Sequence, residues 1–375
     1  MTGYFMGEPI VYSSPDAELL DEINILYNYN DEASENSTLA KDASIYGCAY
    51  EQIYIDADGN TRFQKIDAIN AIPIFDDTIE ADLLYFIRYY TDEDILTGNT
   101  TEYVEVFSRT YHQLFKRTVS SIELVSEETH NFHMVPIVIY NNNEECIGDF
   151  EPVISLIDAY DKIQSDSVND MEYFADAYLA LYGMGGTEPE DIAAMKEQRV
   201  LLLGADSKAE WLIKQMNDTY VENLKNRLEQ SIHKFSACPS MTDKDFAANA
   251  SGVAMKYKLM GLENKTSKKE REFKKGLQRR LEIICNVLAI TGTAYDYMAI
   301  EIHFKRNVPS NITEMADVLN KIGHLLSNET QIGLLPIDVD AATERERIEN
   351  ENNAGYNNYD IQQVNDDGLL ETESD

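Results

Sequence analysis

The chain has 375 residues, with 67 acidic against 31 basic side chains, a formal net charge of −36, and 43% hydrophobic and 10% aromatic residues. That apolar content is enough for a real core and for two or three domains, which excludes an acidic disordered polymer. The charge excludes nucleic-acid binding through the bulk field of the protein, because non-specific affinity comes from neutralising phosphates with Lys and Arg.

Neither a basic-apolar leader nor a run of about 18 apolar residues occurs, so a soluble intracellular protein with no membrane partner is expected. Cys48, Cys146, Cys238 and Cys285 lie far apart with no CxxC spacing, the pattern of reduced thiols rather than of a zinc site or a disulfide framework. The 23 tyrosines against one tryptophan, Trp211, suit half-buried surfaces, since a tyrosine buries its ring while its hydroxyl stays wet.

Residues 15–47 predict two helices broken near Asn30. Tyr50 to Ile66 alternates apolar and polar residues around Asp58-Gly59, a hairpin signal. Strand-like runs follow at Leu83–Tyr90, Glu102–Arg109, Tyr111–Thr118 and Val135–Tyr140, so residues 1–150 read as an α+β unit with a largely antiparallel sheet.

From Glu151-Pro152 a long helix is expected. Its stripe runs Val153, Ile157, Tyr160, Ile163 and onward through Val168 to Tyr178 and Tyr182, while Asp158, Asp161, Asp166 and Asp170 load other faces with charge. Gly183-Met184-Gly185-Gly186 reads as its stop, followed by a short helix at Pro189–Gln198 and short strands at Val200–Gly204 and Trp211–Lys214. A second helix is expected over Asn217 to Phe235, with Leu224, Leu228 and Ile232 on one stripe. After the loop Ser236–Ala250 comes a helix from Ser251 to about Ala289, with a kink expected at Gly261. Ala299–Phe304 reads as a strand, Asn311–Leu326 and Val339–Asn353 as helices, and Asn365 to Asp375 as a disordered acidic tail.

The charge contrast inside this plan is sharp. Ser251 to Arg280 holds ten Lys or Arg against three acids, while the other 345 residues carry a net −43. Any contact with a polyanion is therefore local and weak.

Enzyme readings find little support. Asp56-x-Asp58-Gly59 resembles the start of an EF-hand loop, but its glycine stands three positions after the first Asp and no closing Glu follows, which leaves a hairpin turn. Gly183, Gly185 and Gly186 lack the GxxxxGK[ST] pattern of a phosphate loop. His130 and His133 have no assigned third ligand, and no carboxylate pair stands out among the acids. No catalytic residue, metal or cofactor is assigned.

The order of features, together with TGYFMGEPIVY (Thr2–Tyr12), EPVISLIDAYDKIQSDSVND (Glu151–Asp170), Asn217-Asp218-Thr219, IHKFSACP (Ile232–Pro239) and above all SGVAMKYKLMGLE (Ser251–Glu263), resembles the portal proteins of tailed bacteriophages, of the siphophage type found with Gram-positive hosts. IEIHFKRNVPSNITEMAD (Ile300–Asp317) and ETQIGLLP (Glu329–Pro336) continue the likeness. Relative to that family the chain opens almost inside TGYFMGEP and its C-terminal region is short.

The resemblance implies an α+β portal-type architecture: a wing over 1–150, stem helices over 151–165 and 217–235, a small α/β clip over 166–216, a tunnel loop over 236–250, a long wing helix and strand over 251–308, and a helical crown over 309–375. It implies a non-enzymatic subunit of a homo-oligomeric ring, usually of twelve, around a channel for double-stranded DNA at the capsid portal vertex, assembled in the bacterial cytoplasm. Implied partners are the terminase large subunit, the major capsid and scaffolding proteins, and a head-completion adaptor that makes the ring the head-tail connector. The residues expected to meet passing DNA are Asp243, Asp245, Phe246 and Asn249 in the loop and Ser251, Gly252, Lys256 and Lys258 at the helix start.

An acidic channel wall with a few basic residues near a loop of small side chains suits a conduit that must not trap DNA. The plainer alternative makes the basic helix a solvated face paired with acidic neighbours. The rival functions are an acidic metal-dependent hydrolase and a virion adaptor without a channel.

Overall fold

The computed structural model describes residues 1–96, 98–118, 121–175, 178–183, 208–212, 218–240 and 252–307, with scattered positions between 188 and 197 and between 317 and 350. The chain divides into two units, Met1–Arg306 and Asn307–Asp375. The description below concerns the first.

Its centre is a three-stranded antiparallel sheet in the order β3-β2-β9, formed by β2 (Cys48–Ile55), β3 (Thr61–Ile66) and β9 (Ile137–Asn141). The β2–β3 turn is the expected hairpin: the Asp56 carboxylate accepts from the backbone N–H groups of Asp58 and Asn60 at 3.0 and 2.8 Å, and Gly59 supplies the positive φ of 85°.

Before the sheet come α1 (Thr2–Phe5), β1 (Val11–Ser13), α2 (Ala17–Tyr29) and α3 (Glu32–Tyr46). The predicted break near Asn30 falls between α2 and α3. Asp16 caps α2 by accepting from the Leu19 N–H at 3.1 Å, and the helix buries Leu19, Ile23 and Tyr27. Helix α3 stops at Gly47, whose φ of 84° suits glycine and where a Cβ would run into the Cys146 carbonyl.

A five-stranded antiparallel meander follows, β4 (Ala71–Phe75), β5 (Leu83–Glu93), β6 (Thr100–Phe107), β7 (Tyr111–Arg117) and β8 (Ile122–Thr129), each strand pairing with the next. Beyond β9, α4 (Ile154–Ala175) leads to the antiparallel pair β10 (Tyr178–Tyr182) and β11 (Lys208–Leu212), and α5 (Asp218–Ser236) returns. Next are the 40-residue α6 (Gly252–Thr291) and β12 (Glu301–His303), which pairs with β1. At about 1.5 Å per residue α6 is roughly 60 Å long. Its second half covers the three-stranded sheet, with Phe273, Leu277, Leu281, Ile283 and Ile284 closed to solvent. Phe5 and Phe304 both close on Phe273, so the two ends of the unit meet on one core aromatic.

Several expectations need correction. The first long helix ends at Ala175, and Tyr178 and Tyr182 lie in β10. The run Tyr-Leu-Ala-Leu-Tyr fits both a four-residue and a two-residue repeat, so periodicity alone does not separate the two in so short a segment. Gly183, at φ 75°, therefore follows a strand rather than stopping a helix. The helix contains neither Gly nor Pro between Ile154 and Ala175. Val168, placed on its packing stripe, is exposed. The predicted strand at Trp211–Lys214 is β11, beginning at Lys208. Strands β1, β4 and β8 have no counterpart in the sequence reading. Helix α6 continues through Gly261. The strand predicted at Val200–Gly204 lies outside the described residues, as does the tail Asn365–Asp375 and most of the segments predicted as helices at Pro189–Gln198, Asn311–Leu326 and Val339–Asn353.

Candidate functional site

The basic residues of α6 are sorted along its length. Lys256 and Lys258, in its first two turns, are exposed, and Tyr257 and Met260 stand exposed beside them. Further along, Lys268 and Arg271 also face outward, and Lys275 and Arg279 pair within the helix with Glu272 at 2.7 Å and Glu282 at 2.8 Å. Lys269 and Arg280 point inward, and Lys265 is half-buried.

Lys265, Lys269 and Asp149 form a junction of three helices. Lys265 Nζ donates to the carbonyl of Ser236, the last residue of α5, at 3.2 Å and to the carbonyl of Asp149, shortly before α4, at 3.0 Å. Its charge also faces the Asp149 carboxylate at 3.3 Å. One turn on, Lys269 Nζ donates to Asp149 Oδ2 at 3.1 Å and to the Ser44 hydroxyl of α3, with only 1% of its side chain exposed. Gly261 on α6 lies against Ala237, just past the end of α5.

Burial alone raises the pKa of Asp149. The Lys269 charge, a hydrogen bond from Asn142 and the Lys265 charge outweigh it and hold the carboxyl below the usual range. Burial pulls Lys269 down, and the Asp149 charge only partly offsets this.

The junction fixes the start of α4 and the end of α5 to one place. The two helices pack against each other, α5 also meets the short 3-10 turn Glu151–Val153 ahead of α4, and their other ends carry β10 and β11. Leu156, Ile157, Tyr160 and Ile163 of α4 and Leu224, Leu228 and Ile232 of α5 are half-buried, whereas Asp158, Asp161 and Asp166 are exposed. The result is a helical hairpin, acidic on the exposed face of α4, standing on a mixed α/β body.

A second anchor holds the far half of α6. Arg280, fully buried, donates Nε and Nη2 to the two carboxylate oxygens of Glu51 on β2 at 2.8 and 2.7 Å, and its Nη1 stands 3.4 Å from Glu32 on α3. The guanidinium lies over the rings of Phe63 at 4.5 Å and Tyr140 at 5.6 Å. Tyr140 donates to Glu51 at 2.8 Å and Tyr12 donates to Glu32 at 2.5 Å. Burial pushes the Glu32 carboxyl up despite Arg280. A third anchor closes the unit: Arg306 meets Glu263 at 3.0 Å and Glu270 at 2.5 Å.

Of the residues expected to meet DNA, Gly252 opens α6, and Lys256 and Lys258 are exposed on it. Asp243, Asp245, Phe246, Asn249 and Ser251 lie outside the described residues. Sequence reasoning misses Asp149, Glu51 and Glu32, because nothing local marks three carboxylates among 67.

His130 Nε2 is bonded to the Ser108 carbonyl at 3.1 Å, and His133 is exposed, with its backbone carbonyl accepting from Arg109 at 2.8 Å. Among the described residues no group of three or more His, Cys, Asp or Glu is arranged to hold a metal ion, and no helix is long and apolar enough to cross a membrane.

Comparison with known proteins places these features in context. The family model described as phage portal protein, SPP1 Gp6-like, matches residues 1–356. A portal protein of Bacillus phage SPP1 is 24% identical over 372 residues, covering 94% of this chain and 73% of that protein. A portal protein of Clostridium phage phiCD119 is 24% identical over 365 residues, covering 90% and 76%. A crystal structure of an HK97 family phage portal protein from Corynebacterium diphtheriae aligns over 83% of this chain and 92% of that one, at 9% identity and a TM-score of 0.33, a level that carries no argument.

Proposed function

We propose, from the premise that this chain belongs to the SPP1 Gp6-like family of phage portal proteins, that its parts divide the work of a DNA conduit. The chain is a portal subunit, a component of the virion. In this reading the α/β body is the wing, residues 151–165 and 217–235 are the stem helices, residues 166–216 with β10 and β11 are the clip, residues 236–250 form the tunnel loop ahead of α6, and residues from 309 form the crown. Twelve copies close a ring at the capsid vertex, against the major capsid and scaffolding proteins. The clip takes the terminase large subunit during packaging and a head-completion adaptor afterwards. The subunit supplies geometry and charge, and ATP hydrolysis stays with the terminase.

The observation that supports this reading is the Asp149 junction. A conduit whose loop moves with the DNA needs a base that does not, and Lys265 and Lys269 tie the ends of both stem helices to α6 and α3 through buried or half-buried charge. The exposed Lys256 and Lys258 lie at the end of α6 that follows the loop, and α4 shows water Asp158, Asp161 and Asp166. Passing phosphate is repelled by the second and held only briefly by the first. Neither rival, the metal-dependent hydrolase or the channel-free adaptor, is favoured by the family match.

The test is native mass together with negative-stain imaging. With subunits of 42.7 kDa, rings of roughly half a megadalton with a central hole are expected. A chain that stays monomeric at every concentration overturns the ring. For the helix start, Lys256→Glu with Lys258→Glu is expected to slow DNA packaging while leaving rings intact, and unchanged packaging removes these two lysines from the role.

A further inference from the structure

The short loop between α1 and β1 leaves a cavity of about 180 Å³ against α3. Met6, Ile10 and Asn36 line its buried part, the last with only 2% of its surface exposed. Glu8, Pro9 and Ala33, all exposed, line its mouth.

Asn36 is held in one orientation. Its Nδ2 donates to Glu32 Oε1, which also accepts from the Tyr12 hydroxyl at 2.5 Å and faces Arg280 Nη1 at 3.4 Å. Turning the amide over would set two acceptor oxygens together, so the nitrogen stays on the carboxylate. The amide oxygen Oδ1 therefore points away from Glu32, and it is buried with no hydrogen-bond partner among the described residues. A buried acceptor without a donor is costly, and native folds nearly always supply one.

Volume and lining decide between water and a larger occupant. One water accounts for about 30 Å³ of liquid and needs two to four polar partners. It would leave most of the space unfilled, and the side chains of Met6, Pro9, Ile10 and Ala33 give further waters little to bond. A group with an apolar stem and a donor at its tip matches both parts of the wall. Charge selects the tip. Glu8 stands at the mouth, and among the described residues no Lys, Arg or His lines the cavity. Behind Asn36, Arg280 is shared by two carboxylates, Glu32 and Glu51. The chain as a whole, at −36, draws cations to its surface.

We infer that this cavity binds a primary alkylammonium group. The stem lies along Met6, Pro9 and Ile10, one N–H donates to Asn36 Oδ1, and the charge faces Glu8. A free amine and a lysine side chain of a second copy of this chain share that chemistry. The site does not depend on the ring reading above, since every residue that forms it belongs to one chain.

The experiment is a titration of the full chain with its methionine methyl groups labelled with carbon-13, because Met6 lines the cavity and its methyl signal reports on it. The probe is n-butylammonium chloride. Its controls are sodium chloride at equal ionic strength and n-butyltrimethylammonium, a cation of the same charge with no N–H donor. The Met6 signal is expected to shift saturably with the primary amine, and the quaternary ion is expected to bind about tenfold more weakly or worse. Asn36→Leu is expected to lose about tenfold in affinity, and Glu8→Gln, at an exposed position, up to about fivefold. The absence of a saturable Met6 shift, an equal response to sodium, or equal affinity for the two ammonium ions overturns the inference. If Asn36→Leu fails to fold, the two ammonium ions on the wild type and the Glu8→Gln variant still decide it. Titration below and above the concentration at which copies associate identifies the source. Affinity for the probe that falls on association supports a lysine of a second copy as the occupant, and unchanged affinity supports a free amine.

Discussion

Arg280 and Glu51 face each other through two parallel hydrogen bonds of 2.8 and 2.7 Å, with neither side chain reached by solvent. They join α6 to β2 across 229 positions of sequence. Taking one partner from such a pair leaves the other charge buried and unmatched, at a cost of about 3–5 kcal/mol. Arg280→Met is expected to lose that much, and the further change Glu51→Leu to return a large part of it. Far-UV circular dichroism during denaturation is the readout, because the single tryptophan, Trp211, lies in β11 and reports on the small hairpin rather than on this core. A loss under about 1 kcal/mol for Arg280→Met would mean that the pair does not anchor the helix.

Asp149 serves two lysines at once, so its removal is expected to cost more than removal of either. Lys269→Met and Lys265→Met each leave one cation on the carboxylate, whereas Asp149→Ala leaves Lys269, with 1% of its side chain exposed, without a counter-charge. The three changes should be non-additive by about 0.5–3 kcal/mol, which a double-mutant cycle measures. Strict additivity would dissolve the junction into independent contacts.

How much of this is legible in the sequence depends on the range of the interaction. Helices α2, α3, α5 and α6 and the Asp58-Gly59 hairpin announce themselves through local periodicity and turn chemistry. Strand β8 hides because its three glutamates break the apolar alternation of an edge strand, and β10 because five residues fit two periods. The partners of α6 are out of reach for another reason: Asp149 and Lys269 stand 120 positions apart, and no local signal picks one carboxylate from so many. The basic helix stands out by its charge, yet Lys265, Lys269 and Arg280 serve the interior, leaving Lys256 and Lys258 as the exposed pair nearest the helix start.

That division predicts a separation of stability from function. Lys256→Glu and Lys258→Glu fall on exposed positions and are each expected to change stability by no more than about 0.5 kcal/mol. Thermal midpoints within about 2 °C of wild type would support this, and a loss comparable to that of Lys269→Met would show that the helix start is part of the structural frame.

Glu35 gives a pH dependence of definite sign. Burial, and then the nearby Glu51 charge, push its carboxyl up to about 7, and one of its oxygens is buried with no hydrogen-bond partner among the described residues. A carboxyl with a higher pKa in the fold than in the unfolded chain keeps its proton longer when folded. Its contribution is therefore present at acid pH and is lost as pH rises from the ordinary glutamate range through about 7. The depressed carboxyls Asp149, Glu263 and Glu105 act oppositely and at lower pH. Melting between pH 5 and pH 8 should show Glu35→Gln with a flatter profile than wild type and a higher midpoint at pH 8. Superimposable profiles would remove Glu35 as the source.

Gly276 lies in the middle of α6, where helix propensity alone favours alanine by about 1 kcal/mol. Packing points the other way. A Cβ at this position would overlap the ring of Tyr140 and come within 3.1 Å of the Ile139 carbonyl, and Tyr140 is itself held by its bond to Glu51 and its contact with Phe273. Overpacking a fixed ring costs about 1–3 kcal/mol, so the clash outweighs the propensity and Gly276→Ala is expected to destabilise. Gly261 offers the contrast: a Cβ there would find its nearest neighbour among the described residues, the Ala237 methyl, 3.9 Å away, so Gly261→Ala meets no clash with them and is expected to stabilise α6 by up to about 1 kcal/mol. Opposite signs for the two substitutions, read from denaturation midpoints, would show that α6 is held by its seat on the sheet. Stabilisation by both would mean that intrinsic propensity governs both.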